Sequence, residues 1–245
     1  MDSGFYAAAN GMRAQMQALD LMANNLANVN TPGYLSGQAT FHALLAGPSG
    51  QMQGPLNRVI NNFNMLGGTS LELASGNLER TDNPLDLAIE GEGFFAVQTP
   101  AGVMYTRNGS FRVSPQMQLT SSHGDPVLGD QGRPIHLPAG KVSISADGTI
   151  SVDGAVSGKL RVVEFSPGAA IEPQGRSLYS APPSAARPSP SSAVRQGMMA
   201  ASNVNPVTAT VGLITVQRNA DMLQRALSEF YSDFDRIAVE DLPHV

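Results

Sequence analysis

The chain has 245 residues, of which 14 % are charged, a net charge of −5 and no cysteine. Lys141 and Lys159 are its only lysines and the arginines are scattered singly, so no clustered basic footprint marks nucleic acid as a partner. The missing thiols exclude disulfides, thiolate nucleophiles and zinc–thiolate sites, and the length suffices for a real core in one large domain or two small ones.

The N-terminus carries Asp2, has no basic residue before Arg13 and lacks a continuous apolar run, so a cleaved secretory signal is not expected. No apolar stretch approaches the roughly 18–20 residues that span a bilayer, so direct membrane insertion is not expected either. Residues 1–34 read as a helix and its stop. Phe5, Ala9, Met12, Met16, Leu19, Ala23 and Leu26 recur in alternating steps of four and three, the seam of a coiled coil. Asn28-Val29-Asn30-Thr31-Pro32-Gly33 ends it, because proline disfavours helical geometry at Thr31.

Residues 35–80, with Gly47-Pro48-Ser49-Gly50 and Gly67-Gly68, read as an extended connector holding a weak strand or two. Residues 81–165 read as a β-domain. Phe94–Gln98 and Val103–Thr106 flank a turn at Pro100-Ala101-Gly102, and Asn108-Gly109 predicts a type I′ hairpin into Ser110–Val113. Val142–Ser145 and Thr149–Val152 flank Asp147-Gly148, and Leu160–Phe165 makes a further strand. Short strands at this spacing predict an antiparallel sandwich or barrel-like domain. Residues 166–201, rich in Pro, Ser, Ala and Gly, read as an extended linker.

Residues 202–245 read as a second helix. Asn205 is its N-cap, Pro206 takes the first helical position, and Asp241 and Pro243 close it. Leu213, Val216, Ala220, Leu223, Leu227, Phe230, Phe234 and Ile237 form its seam. The predicted fold class is therefore α+β: long terminal helices paired as a coiled coil, with a central β-rich domain. A helix of this size is marginal in water, and packing supplies what it lacks.

No constellation for chemistry emerges. His42, His123, His136 and His244 have no metal-ligand spacing, and Gly91-Glu92-Gly93 lacks the third glycine and the following helix of a nucleotide loop. Asp82, Asp86, Glu90 and Glu92 lack the alternation of a calcium loop. Asp125, Asp130, Asp147 and Asp153 sit beside turn residues, although a polysaccharide-active enzyme would draw its carboxylate pair from them. No catalytic, cofactor or metal residue, and no small-molecule substrate, is expected.

Three stretches carry a family resemblance. Ala23-Asn24-Asn25-Leu26-Ala27-Asn28-Val29-Asn30-Thr31-Pro32-Gly33-Tyr34 resembles the N-terminal signature of bacterial flagellar axial proteins. Asn83–Ile89, Gly91–Phe95 and Tyr105–Phe111 resemble their central domain, and Ser202-Asn203-Val204-Asn205-Pro206-Val207 with Gln217-Arg218 their C-terminal segment. The chain thus resembles the basal-body rod protein family, of the proximal FlgF or distal FlgG type. It departs at Leu35, where relatives carry a polar or basic residue, and at Asn219-Ala220-Asp221, where an aromatic–Glu pair is usual.

The resemblance implies a structural, non-enzymatic subunit that polymerises helically through its terminal helices into the drive shaft and export channel between motor and hook. It implies other rod proteins and further copies of itself as partners, and a place in the periplasm-spanning rod after export by the flagellar type III system without a cleaved signal. The terminal helices are expected to fold on assembly. A hook-type subunit, or a secreted β-rich binding module or polysaccharide-active enzyme, is the competing expectation.

Overall fold

A computed structural model describes residues 2–43, 64–166, 168–189 and 191–240. The side chains of Phe5, Phe230, Phe234 and Ile237, the turn at residues 47–50 and the expected stop at Asp241 and Pro243 lie outside the described residues. In chain order the elements are α1 (Asp2–Ala27), β1 (Gly37–Ala43), β2 (Asn64–Leu71), β3 (Leu78–Arg80), β4 (Leu87–Glu90), β5 (Phe94–Thr99), β6 (Gly102–Thr106), β7 (Phe111–Val113) and β8 (Leu119–Ser121). They continue with β9 (Val142–Ile144), β10 (Thr149–Val152), β11 (Ala155–Lys159), β12 (Val162–Phe165), β13 (Glu172–Gly175), β14 (Leu178–Ser180), β15 (Ala186–Pro188), β16 (Ala193–Gln196), β17 (Met198–Ala200) and α2 (Pro206–Glu240). They form a helical unit (Met1–Ala27, Gly37–Ser70, Asn205–Val245) and a β unit (Asn28–Ser36, Leu71–Val204).

In the helical unit, α2 starts where its cap dictates. Asn205 Oδ1 accepts the N–H of Val207 at 3.0 Å and of Thr208 at 3.2 Å, satisfying two of the donors a helix start leaves open. The two helices pack antiparallel. A Cβ on Gly11 would lie 3.8 Å from Leu223 Cδ1, and one on Gly212 would lie 3.4 Å from Met22 Sδ.

On α2, Leu213, Val216, Ala220, Leu223 and Leu227 are half-buried. On α1 the burial differs from the expected stripe. Ala14, Ala18 and Asn25 are buried, whereas Met16 is 57 % exposed and Ala23 is exposed. Ala9, Met12, Leu19 and Leu26 are half-buried at the margin. The cause is size: separation between helix axes follows the side chains at the contact, and Gly11, Ala14 and Ala18 admit a close neighbour.

The β unit is antiparallel throughout its described pairings. Its largest sheet runs β13-β14-β6-β5-β12-β15, beside a three-stranded sheet β11-β10-β9 and the pairs β16-β4, β17-β3 and β7-β8. β5 sits mid-sheet with both faces covered. Phe95 and Val97 enter a cluster with Leu87, Ile89, Phe111 and Ile150, while Phe94 and Ala96 enter another with Leu35, Tyr105, Val163 and Tyr179. Burial on both sides is why this strand reads as a continuous apolar run. The β5–β6 and β9–β10 hairpins form as expected, the latter turning at Gly148 with φ +83°.

Two expectations are corrected. Asn108-Gly109 is not a type I′ turn: neither residue takes a positive φ, and β7 pairs with β8 instead of β6. Glycine is required there for close approach, since a Cβ on Gly109 would lie 1.6 Å from the Leu87 carbonyl oxygen. Residues 166–201 are not a linker but supply β13 to β17. Pro173 and Pro188 fall in β13 and β15, the two edges of the large sheet, where a missing N–H breaks no ladder. Residues 35–80 likewise contribute three strands, β1 to β3.

Candidate assembly site

The signature residues of the two chain ends make hydrogen bonds that fix loops. In the helical unit, Asn25 binds the backbone of one residue twice: its Nδ2 donates to Gly37 O at 2.8 Å and its Oδ1 accepts Gly37 N–H at 3.0 Å. A buried amide with both groups paired costs little, and it aligns β1 against α1. Asn24 donates to Asp20 O at 2.9 Å.

In the β unit, Asn28 to Tyr34 form consecutive turns. Thr31 N–H donates to Asn28 O at 3.0 Å, the Thr31 hydroxyl to Asn28 Oδ1 at 3.2 Å, and Tyr34 N–H to Thr31 O at 3.2 Å. Gly33, with φ +66°, passes so close to the 107–108 backbone that a Cβ would lie 2.3 Å from Asn108 N. Asn203 clasps this segment. Its Oδ1 accepts Ser36 N–H at 2.7 Å, and its Nδ2 donates to Glu72 O at 2.9 Å and Ala74 O at 3.0 Å. Its own N–H reaches Tyr34 O at 3.3 Å. Val204 is buried, Pro32 and Ser202 are half-buried and Asn30 is exposed.

Below the clasp lies a group that sequence reasoning missed. Leu35 is buried and its N–H donates to the Tyr179 hydroxyl at 3.0 Å, whose burial raises its pKa to about 12. Arg107 is 3 % exposed, its guanidinium 4.7 Å above the Phe94 ring, with Nη1 donating to Ser75 Oγ at 2.9 Å. Burial lowers its pKa to about 10, which leaves it a cation at neutral pH. The signal available was an arginine inside an otherwise uncharged Tyr105–Phe111 stretch.

Outward, the helical unit is apolar where a self-contained helix pair is polar. Val207 is 69 %, Val211 59 %, Ile214 44 % and Met222 61 % exposed. Thr208, Thr210 and Thr215 turn their hydroxyls back onto the carbonyls of Asn205, Pro206 and Val211, so the hydroxyls are already satisfied by the helix itself.

The four aspartates weighed for catalysis occupy turns or bind them. Asp147 accepts the N–H and hydroxyl of Thr149, which hold its carboxyl below its usual pKa, and Asp153 accepts Lys141 N–H. Asp125 accepts the Ser121 hydroxyl at 3.2 Å, and Asp130 donates its N–H to Lys159 O. Among the described residues no group of His, Asp and Glu is placed to hold a metal, and no helix is long and apolar enough to cross a membrane.

Three family models of flagellar axial proteins match the chain: the flagella basal body rod protein model over residues 5–34, the flagellar hook protein FlgE/F/G D1 domain over 88–152, and the flagellar basal body rod FlgEFG protein C-terminal model over 195–229. Helical ends around this β-domain thus define the class of hook and rod proteins. The chain is 34 % identical to the flagellar basal-body rod protein FlgF of Mesorhizobium japonicum, covering 89 % of each. It is 32 % identical to FlgF of Escherichia coli, covering 93 % of this chain and 94 % of the relative, and 30 % identical to the rod protein FlgG of Buchnera aphidicola, covering 89 % and 92 %. The chain belongs to the flagellar basal-body rod protein family.

Proposed function

We propose that this chain is a structural, non-enzymatic subunit of the flagellar basal-body rod, polymerising through α1 and α2 into a helical shaft with a central export channel. Its partners are copies of itself and neighbouring rod proteins, and the flagellum's own export apparatus delivers it to the periplasm-spanning rod. The observation that carries this reading is the row of exposed apolar side chains on α2, Val207, Val211, Ile214 and Met222. Large apolar side chains exposed along one helix face mark an interaction site. A heterologous contact that does not close on itself generates an open helix of subunits.

The seam residues divide accordingly. Leu213, Val216, Ala220, Leu223 and Leu227 hold the helices together within one copy, while Met16 and Ala23 serve contacts between copies. Within the β unit the clasp built on Gly33 and Asn203 fixes the loops, and within the helical unit Asn25 holds β1 on α1, so that these residues act on assembly through positioning. Turn-forming roles for Asp125, Asp130, Asp147 and Asp153 support a non-catalytic reading. A strain lacking the chain should be non-motile, with basal bodies whose rods stop short in electron micrographs. Full-length rods in that strain would overturn the proposal.

A further inference from the structure

Arg107 is 3 % exposed, yet among the described residues it enters no ion pair. Its Nη1 donates to Ser75 Oγ at 2.9 Å, and the Phe94 ring covers one face of the guanidinium. Nε and Nη2 are buried and meet no acceptor among the described residues. Those two atoms make up one edge of the guanidinium, whose parallel N–H bonds match the two oxygens of a carboxylate. A buried donor without an acceptor costs more than a paired one gains, and the ring beneath offsets only part of that.

Two carboxylates act on Arg107 through space, Glu92 more strongly than Glu164. Glu164 is committed elsewhere, because its Oε1 accepts the hydroxyls of Ser189, Ser191 and Ser192. Glu92 is exposed and sits between Gly91, at φ +121°, and the buried Gly93. Its turn is already tied to the arginine: the Ser75 hydroxyl that accepts from Arg107 donates to Gly91 O at 3.1 Å. On the other side Gly93 N–H donates to Ser192 Oγ at 3.0 Å. Ser75 and Glu92 are both exposed, so the guanidinium lies directly beneath the surface.

We infer that the Nε–Nη2 edge of Arg107 is a receptor for one carboxylate, gripped side-on by two N–H donors. The carboxylate is supplied by Glu92, through rotation of its side chain toward the arginine, or by a small free acid anion entering beside Ser75. Either source pairs both donors at once and neutralises the buried cation.

The test is nuclear magnetic resonance on the full-length chain, labelled with nitrogen-15 and carbon-13 at arginine. The Arg107 Nε–H signal is assigned by through-bond correlation, so no substitution of the buried arginine is needed. It is followed in the native chain and in Glu92→Gln, an exposed position, while sodium formate or sodium chloride of equal ionic strength is added. A carboxylate on the edge moves the Nε–H proton downfield and slows its exchange with water. With Glu92 as the source, the native chain shows both marks in chloride, Glu92→Gln loses them, and formate restores them. With a free anion as the source, both chains acquire the marks in formate alone, and the change saturates. Either pattern supports the receptor. A signal indifferent to Glu92→Gln and to formate means an edge served by water and overturns the inference. So does a Glu92→Gln signal that formate and chloride move equally, which means an adventitious ion only.

Discussion

Replacing Asn203 with alanine tests whether the clasp holds the loops of the β unit. The side chain makes three hydrogen bonds, from Ser36 N–H and to the carbonyls of Glu72 and Ala74. Each is worth about 1 kcal/mol net, but Glu72 and Ala74 are exposed, so water replaces their partner at little cost. Ser36 is half-buried and has no such recourse. The sum is a loss of about 2–3 kcal/mol, or a fall in Tm of about 5–10 °C for a domain of this size. Thermal unfolding followed by near-ultraviolet circular dichroism reads it, because Tyr105 and Tyr179 are buried in the same unit. Asn30→Ala, at an exposed signature position, is the control and should shift Tm by under a degree or so. An Asn203→Ala chain as stable as the control would refute the clasp.

Gly33→Ala should cost more than about 3 kcal/mol, since left-handed geometry alone costs about 1–2 kcal/mol and the new Cβ strikes backbone; soluble yield and Tm measure it. Leu223→Asp should leave the near-ultraviolet signal of the β unit intact yet abolish swimming, because it removes part of the roughly 1.5–3 kcal/mol that full burial of a leucine supplies and places a carboxylate against Gly11; normal motility would count against the seam. Glu164 is held below its usual pKa first by the Ser189 hydroxyl and also by those of Ser191 and Ser192. Its folded value lies below its unfolded one, so this stabilisation is complete above the unfolded carboxylate pKa and disappears as pH falls through the folded one. Tm should therefore drop less on acidification in Glu164→Gln than in the native chain, and identical acid profiles would contradict that role.

The helices were legible because their signals are local. Asn205-Pro206 names the start of α2, and its seam repeats without a break. The α1 seam misled because two stripes share its spacing, and the smaller, Gly11-Ala14-Ala18, wins by letting a neighbour approach. The β5–β6 hairpin was legible from its turn, whereas β16 and β17 were not. They are short strands of mixed composition whose partners, β4 and β3, lie about a hundred residues earlier. Gly109 looked like a turn residue because a sequence does not distinguish a glycine needed for φ from one needed for space. The clasp was invisible for the same reason of distance: Asn203 and Ser36 are 167 residues apart.

Amide hydrogen exchange at α1 and α2, compared between the isolated chain and basal bodies that contain it, bears most directly on polymerisation through the helices. Slow exchange over residues 9–27 and 207–229 that arises only on incorporation into the rod is the expected result. Equal protection in both states would mean that one copy alone satisfies these helices, and would contradict the account.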